Sequence, residues 1–300
     1  MRPWTAVPPQ SGRRFVITGA NSGVGLATAR ILGSRGAEVV LACRDPDKAA
    51  AAARTVPGHD KGRVEVRQVD LADLDSVRRF ADGLVAETGP FDVLVDNAGV
   101  LGAPYRLTSA GVERHFAVNH LGHFLLTSLL LPSIRDRVVV TGSREHRRGD
   151  LDLDDLAWER RPYKVFGAYA ASKLACLLFL TELDRRLRTE GSPVRVVGAH
   201  PGATVSGITG GTGNPFVTAV GAFGQRLVSM PTWRGALNTV YAATMDVPGG
   251  GYIGPHGRTE LYGWPAPSQR SAHSQDPVLA RALWERSEEL VATKAAPTGS

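Results

Sequence analysis

Thr18-Gly19-Ala20-Asn21-Ser22-Gly23-Val24-Gly25 joins two segments of opposite character. Before it, Arg14-Phe15-Val16-Ile17-Thr18 is β-branched and aromatic and reads as a buried strand; after it, residues 25–35 read as a helix stopped at Gly36. Glycines at such a junction permit a tight turn, let backbone approach an anion closely, and bring helix against strand. The helix N-terminus adds unpaired N–H groups suited to a pyrophosphate. Gly19, Asn21, Ser22, Gly23, Val24 and Gly25 are therefore candidate binding positions. A glycine cluster by itself marks only a turn; its place between strand and helix is what gives it weight.

The same alternation continues outward. Residues 37–42, 64–69, 91–95, 137–141 and 194–199 read as further strands. Between them, residues 47–54, 74–85, 112–131 and 169–188 read as helices, the 74–85 helix capped by Asp73 and the long 112–131 pattern stopped by Pro132. This predicts a Rossmann-type, doubly wound α/β fold, with a parallel sheet of about seven strands and helices on both faces. With no Pro/Ser-rich linker, one domain over residues 13–292 is expected, with an extended segment at 1–12 and a frayed tail at 293–300. After Pro201 a Gly/Thr-rich stretch leads into an apolar one containing Phe216, Val217, Val220, Phe223 and Leu227. Residues 203–232 are expected to form a flap over the carboxyl edge of the sheet, where doubly wound folds bind ligands; a connecting loop followed by a packed surface helix is the alternative. Residues 276–290 read as a last helix.

Composition excludes several classes. The chain has 300 residues, 43% hydrophobic and 21% charged, with 34 Gly and 19 Pro, which argues against disorder and low complexity. The net charge is +6, but the densest basic run, residues 144–148, is broken by Glu145 and followed by Asp150, Asp152, Asp154 and Asp155. A clustered basic face is missing, so no nucleic-acid partner is expected. Cys43 and Cys176, 133 positions apart, form neither a disulfide framework nor a redox pair, which suits a reducing compartment. The N-terminus carries no apolar leader, and the apolar stretch at 121–134 is too short for a bilayer. A cytoplasmic protein without an integral membrane segment is expected. His120 and His123 share a helix face but lack a carboxylate or Cys to complete a set, so no metal site is expected.

Tyr169 and Lys173 stand four apart in a helical pattern and project from one face. An isolated phenol releases its proton only near pH 10, whereas a neighbouring ammonium favours the phenolate. Taken alone, such a pair is as readily a surface contact as an acid–base device. Ser143, just past the fifth strand, supplies a hydroxyl that could polarise an oxygen. Placement after the phosphate turn favours catalysis.

The spacing Gly-x-x-x-Gly-x-Gly in residues 19–25 resembles the glycine motif of the short-chain dehydrogenase/reductase family. Matching motifs follow in order: Asp70-Leu71, Asn97-Ala98-Gly99, Asn119, Ser143, Tyr169-Ala170-Ala171-Ser172-Lys173 and Pro201-Gly202. The likeness spans about residues 14–205. Val39-Val40-Leu41-Ala42-Cys43-Arg44-Asp45, Asn119-His120-Leu121-Gly122-His123-Phe124-Leu125 and the 26-residue step from Ser143 to Tyr169 are similar to the retinol-dehydrogenase-like branch. Two positions depart from the pattern: Asp96 where Asn is usual, and Gly142 where a second Ser is usual.

The resemblance implies an oxidoreductase that moves hydride between a nicotinamide cofactor and a small-molecule carbonyl or alcohol, assembled as a homodimer or homotetramer. It assigns catalysis to Asn119, Ser143, Tyr169 and Lys173, with Asn119 helping to hold Lys173 through water. It assigns cofactor contacts to Asp70, Leu71, Asn97, Ala98, Gly99, Tyr169, Lys173, Pro201, Gly202 and Thr204. The end of the second strand selects between cofactors. NAD sites carry an acid there for the ribose 2′-hydroxyl, whereas this chain has Ala42-Cys43-Arg44, and Arg44 suits the 2′-phosphate of NADP(H). Asp45 is the competing feature, since a small backbone shift would bring a carboxylate to the ribose. The apolar flap favours a lipophilic substrate, and residues 144–167 are expected to wall the cleft. A non-catalytic NADP(H)-binding sensor or scaffold is the rival from another class; a sugar-nucleotide epimerase fits less well, because little chain follows Pro201.

Overall fold

The computed structural model describes residues 7–203, 230–257 and 259–292. β1 (Arg14–Thr18) shows how the sequence pattern becomes architecture. Val16 packs into one hydrophobic layer with Val40, Leu94, Val138 and Val196, while its neighbours Phe15 and Ile17 join Val39, Leu41, Val93 and Val139 in another. Alternate side chains thus leave on opposite faces and both faces are covered, as parallel sheets require.

The other strands are β2 (Glu38–Cys43), β3 (Val64–Gln68), β4 (Phe91–Asp96), β5 (Ile134–Thr141), β6 (Arg195–Ala199), β7 (Tyr252–Pro255) and β8 (Pro265–Pro267). They lie in the order 3-2-1-4-5-6-7-8. The strands from β1 to β7 run parallel. β8 extends the expected parallel sheet as an antiparallel edge on β7. Its prolines are tolerated because an edge strand needs few ladder N–H groups.

The α-helices of the described residues are α1 (Gly23–Ser34), α2 (Pro46–Ala53), α3 (Leu74–Thr88), α4 (Arg114–Phe116), α5 (Gly122–Leu130), α6 (Val165–Thr189), α7 (Thr232–Thr244) and α8 (Pro277–Ala292). α1, α2 and α7 cover the face reached by Ile17; α3, α5 and α6 cover the other. The predicted unbroken helix at 112–131 is shorter and irregular. It starts after Glu113, whose carboxylate accepts from the N–H groups of His115 (2.8 Å) and Phe116 (3.3 Å), and passes through a π turn at Ala117–Leu121 before continuing as α5.

α6 is long and apolar enough to cross a membrane, but 72% of its most apolar stretch is buried inside the fold. α8 covers it from outside: the Trp284 indole stacks on Phe179 and meets Phe124 edge-on. The expected flap falls mainly on residues 204–229, and the expected tail on 293–300, both outside the described residues. Near the end of the chain, α7 and β8 were not expected, and β7 is the seventh strand whose position the sequence left open.

Candidate active site

The junction of β1 and α1 needs glycine for different reasons at different positions. Gly19 and Gly23 have φ of +66° and +56°, where side chains are strained. A Cβ on Gly25 would sit 2.5 Å from Asn97 Nδ2 and 2.7 Å from the Gly19 carbonyl oxygen, so only glycine lets α1 press onto the turn. Ser22 is the N-cap but makes no side-chain capping bond, and no acidic residue stands in the first turn of α1. The first N–H groups of the helix are thereby left for an anion.

These residues open on a cavity of about 280 Å³, and the predicted positions Gly19, Asn21, Ser22, Gly23, Val24, Gly25, Arg44, Asp70, Leu71, Asn97, Ala98 and Gly99 all line it. The cradle therefore fits a dinucleotide phosphate. Lys48, which sequence reasoning missed, lines the same cavity. Asp45 lines the cavity as well, and there it is engaged with α2. Its carboxylate caps α2 by accepting from the Lys48 N–H at 3.0 Å and pairs with Lys48 Nζ at 2.9 Å, contacts that hold it below the usual carboxylate range.

Tyr169 and Lys173 lie on α6, and the latter is buried with Nζ donating to the Thr141 carbonyl at 2.9 Å. Lys173 Nζ is 6.0 Å from the centre of the Tyr169 ring. Gly99, on the cavity wall, faces both the Asn119 amide and Lys173: a Cβ there would lie 3.2 Å from Asn119 Oδ1 and 3.7 Å from Nζ. Asn119, in the π turn, accepts the Val100 N–H (2.8 Å) and donates to the Val100 carbonyl (3.1 Å) and to Ser172 Oγ (2.9 Å). Its side chain thus clamps the end of the Asn97–Gly99 segment and the residue beside Lys173, with no direct bond to Lys173.

Ser143 stands two residues past β5 and caps the short helix Arg144–Arg148, accepting from the Glu145 N–H at 3.3 Å. His146 holds its backbone: Nδ1 donates to the Ser143 carbonyl (2.6 Å) while Nε2 accepts from the Ser271 N–H (3.0 Å). Gly142 has a steric cause. A Cβ at that position would lie 2.6 Å from the hydroxyl of the buried Tyr252, so serine does not fit beside this tyrosine. Pro201 and Gly202 follow β6 at the same sheet edge, and Gly202 has φ +70°. Thr204 lies outside the described residues. His200 packs on Tyr252, with Nε2 3.4 Å from Ser268 Oγ; burial pushes it down to about 4. The 144–167 segment gives its last residues to α6, and it packs against the chain beyond Gly99 through the Tyr105–Tyr163 ring pair at 5.0 Å.

Asp96 is buried, with Oδ2 accepting from Thr127 Oγ1 at 2.8 Å and Oδ1 without a protein partner. Burial pushes its carboxyl from the ordinary 3.8 to about 8. The unfolded chain releases this proton near pH 4 and the folded chain near pH 8, so stability is lost as pH rises through that window. We expect Asp96→Asn to raise the melting temperature more at pH 8 than at pH 5. Equal gains at both values would show that Asp96 ionises normally.

Among the described residues, no group of three His, Cys, Asp or Glu side chains stands where it could hold a metal ion. The short chain dehydrogenase family model matches residues 13–152. Human retinol dehydrogenase 13 is 39% identical over 296 residues, covering 95% of this chain and 86% of that protein. The crystal structure of an uncharacterized protein from Mycobacterium paratuberculosis superposes with a TM-score of 0.80 at 44% identity, covering 98% of both chains. A short chain dehydrogenase from Burkholderia cenocepacia, solved in complex with NADP, shares the fold at TM-score 0.61 and 24% identity over 79% of this chain and 92% of that one. With these relatives and this sheet, the chain belongs to the short-chain dehydrogenase/reductase family of oxidoreductases, in its retinol-dehydrogenase-like branch.

Proposed function

We propose that the protein is an NADP(H)-dependent oxidoreductase acting on a carbonyl or alcohol carbon of a lipophilic small molecule. The observation that carries this reading is the buried Lys173 ammonium, held between Gly99 on the cavity wall and the Tyr169 ring. A bound nicotinamide supplies or accepts the hydride. Tyr169 gives its proton to the carbonyl oxygen during reduction and takes it back during oxidation, with the nearby ammonium stabilising the phenolate. Ser143 orients that oxygen through its hydroxyl, and Asn119 holds the wall against which the cofactor rests.

Preference for the 2′-phosphate is supported by Arg44 and Lys48 on the cavity and by the pairing of Asp45, on the same cavity, with Lys48 and the start of α2. A lipophilic substrate is supported by Phe166, 74% exposed one turn before Tyr169, and by the exposed Tyr105. We also read residues 13–292 as one catalytic unit of the cytoplasm with no integral membrane segment. Support comes from the packing of α6 into the core and from Cys43 and Cys176, both free and buried.

The test is a screen of short, aromatic and long-chain aldehydes and ketones with NADPH, followed by loss of nicotinamide absorbance. Turnover that favours the long-chain compounds is expected. NADPH binding without turnover across all three groups would favour the sensor reading.

A further inference from the structure

His123 belongs to the Asn119–Leu125 motif but has no part in the mechanism above. It is buried on α5, one residue after Gly122, where a Cβ would lie 2.3 Å from the Leu71 carbonyl oxygen. That close approach brings the start of α5 against the segment after β3 and the imidazole up to the end of β1. Nδ1 lies 3.1 Å from the Asn119 carbonyl, and Nε2 lies 2.9 Å from Thr18 Oγ1.

The hydrogen positions follow from chemistry. A carbonyl only accepts, so Nδ1 carries the proton. Burial pushes the imidazole down to about 4, so the ring is neutral at pH 7 and Nε2 presents a lone pair. The Thr18 hydroxyl therefore points its one hydrogen at Nε2, closer than the alternative acceptor, the Val95 carbonyl at 3.3 Å. Its lone pairs then face the N–H groups of Asn97 and Ala98, both 2.9 Å away.

We propose that His123 is a positioning residue that sets the cofactor wall from behind. Asn119 acts on this wall twice: its side chain holds Val100, and its carbonyl, through His123 and Thr18, holds Asn97 and Ala98. Both ends of the 97–100 segment are thus fastened to one π turn. The distance between the cofactor cavity and Lys173 depends on that fastening, because Gly99 lies between them. Cys176 Sγ also donates to the Asn119 carbonyl at 3.1 Å, so that oxygen keeps a partner when the imidazole is removed.

This inference rests on the proposed cofactor, and its test separates the two. NADPH affinity is first measured for the unaltered protein by fluorescence titration; absence of binding would remove the cofactor reading itself. With binding established, His123→Phe keeps an aromatic ring without either nitrogen, and His123→Gln keeps a donor and an acceptor. We expect His123→Phe to raise the NADPH Kd and cofactor KM about tenfold while kcat falls less than threefold and the substrate KM holds. Amide exchange across residues 97–100 of the cofactor-free protein should quicken about tenfold. His123→Gln should recover part of each effect. If His123→Phe does not fold, Thr18→Val breaks the same chain from the other end and should reproduce the cofactor-selective loss. Unchanged cofactor affinity in the folded variants, an equal fall in kcat and in affinity, or no recovery with Gln would overturn the proposal.

Discussion

Tyr169→Phe is expected to lower turnover by about 10²–10⁴-fold, the usual worth of a positioned acid–base group, while NADPH affinity stays within about twofold. The substitution removes one oxygen and keeps the ring, so the aromatic contact with His115 and the burial around α6 persist. The cofactor cavity is lined by the β1–α1 turn and the chain at the ends of β2, β3 and β4 rather than by this hydroxyl. Binding and chemistry are therefore carried by different atoms, and the variant should separate them. The decisive measurements are single-turnover oxidation of NADPH and a binding titration on the same preparation. Undiminished turnover would remove Tyr169 from the mechanism, whereas joint loss of binding and turnover would point to misfolding, visible as a lowered melting temperature.

Arg44→Ala should weaken NADPH binding about ten- to hundredfold and change NADH affinity by less than about threefold. The size follows from losing charge-assisted hydrogen bonds to a phosphate at a partly solvated site. Lys48→Ala should act in the same direction but less, because that ammonium already pairs with Asp45. The variant also frees the Asp45 side chain from its ion pair, although its bond to the Lys48 backbone N–H remains available. The measurement is the ratio of Kd values for the two cofactors in the parent and each variant. Tighter binding of NADH than NADPH by the parent protein would reverse the assignment and return Asp45 to the ribose.

Much of the fold is legible along the chain because its cues are local. Strand and helix alternation through residue 199 needs only apolar periodicity, and Asp73 marks the start of α3 by the same hydrogen bond to the Asp75 N–H seen in the structure. Beyond Pro201 the cues weaken. β7 and β8 are only four and three residues long, and Pro255, Pro265 and Pro267 argue against strands unless the partner strand is known. The π turn is likewise invisible, since a single inserted residue leaves no mark in a stretch where Asn119, His120 and His123 are buried along with the apolar residues around them.

The candidate site divides along the same line. Sequence by itself determined the residues whose chemistry depends on near neighbours: the glycine turn before α1, Tyr169 and Lys173 on one face of a helix, and Arg44 in place of an acid at the end of β2. Only tertiary structure decided which side chains are already committed. Gly142 is dictated by the Tyr252 hydroxyl, and Lys48 lines the cofactor cavity beside Arg44. His123 meets Thr18 across 105 positions of chain. The physical reason is that hydrogen-bond partners and steric limits are set by distance in space, and folding brings together residues whose separation in the chain carries no such signal.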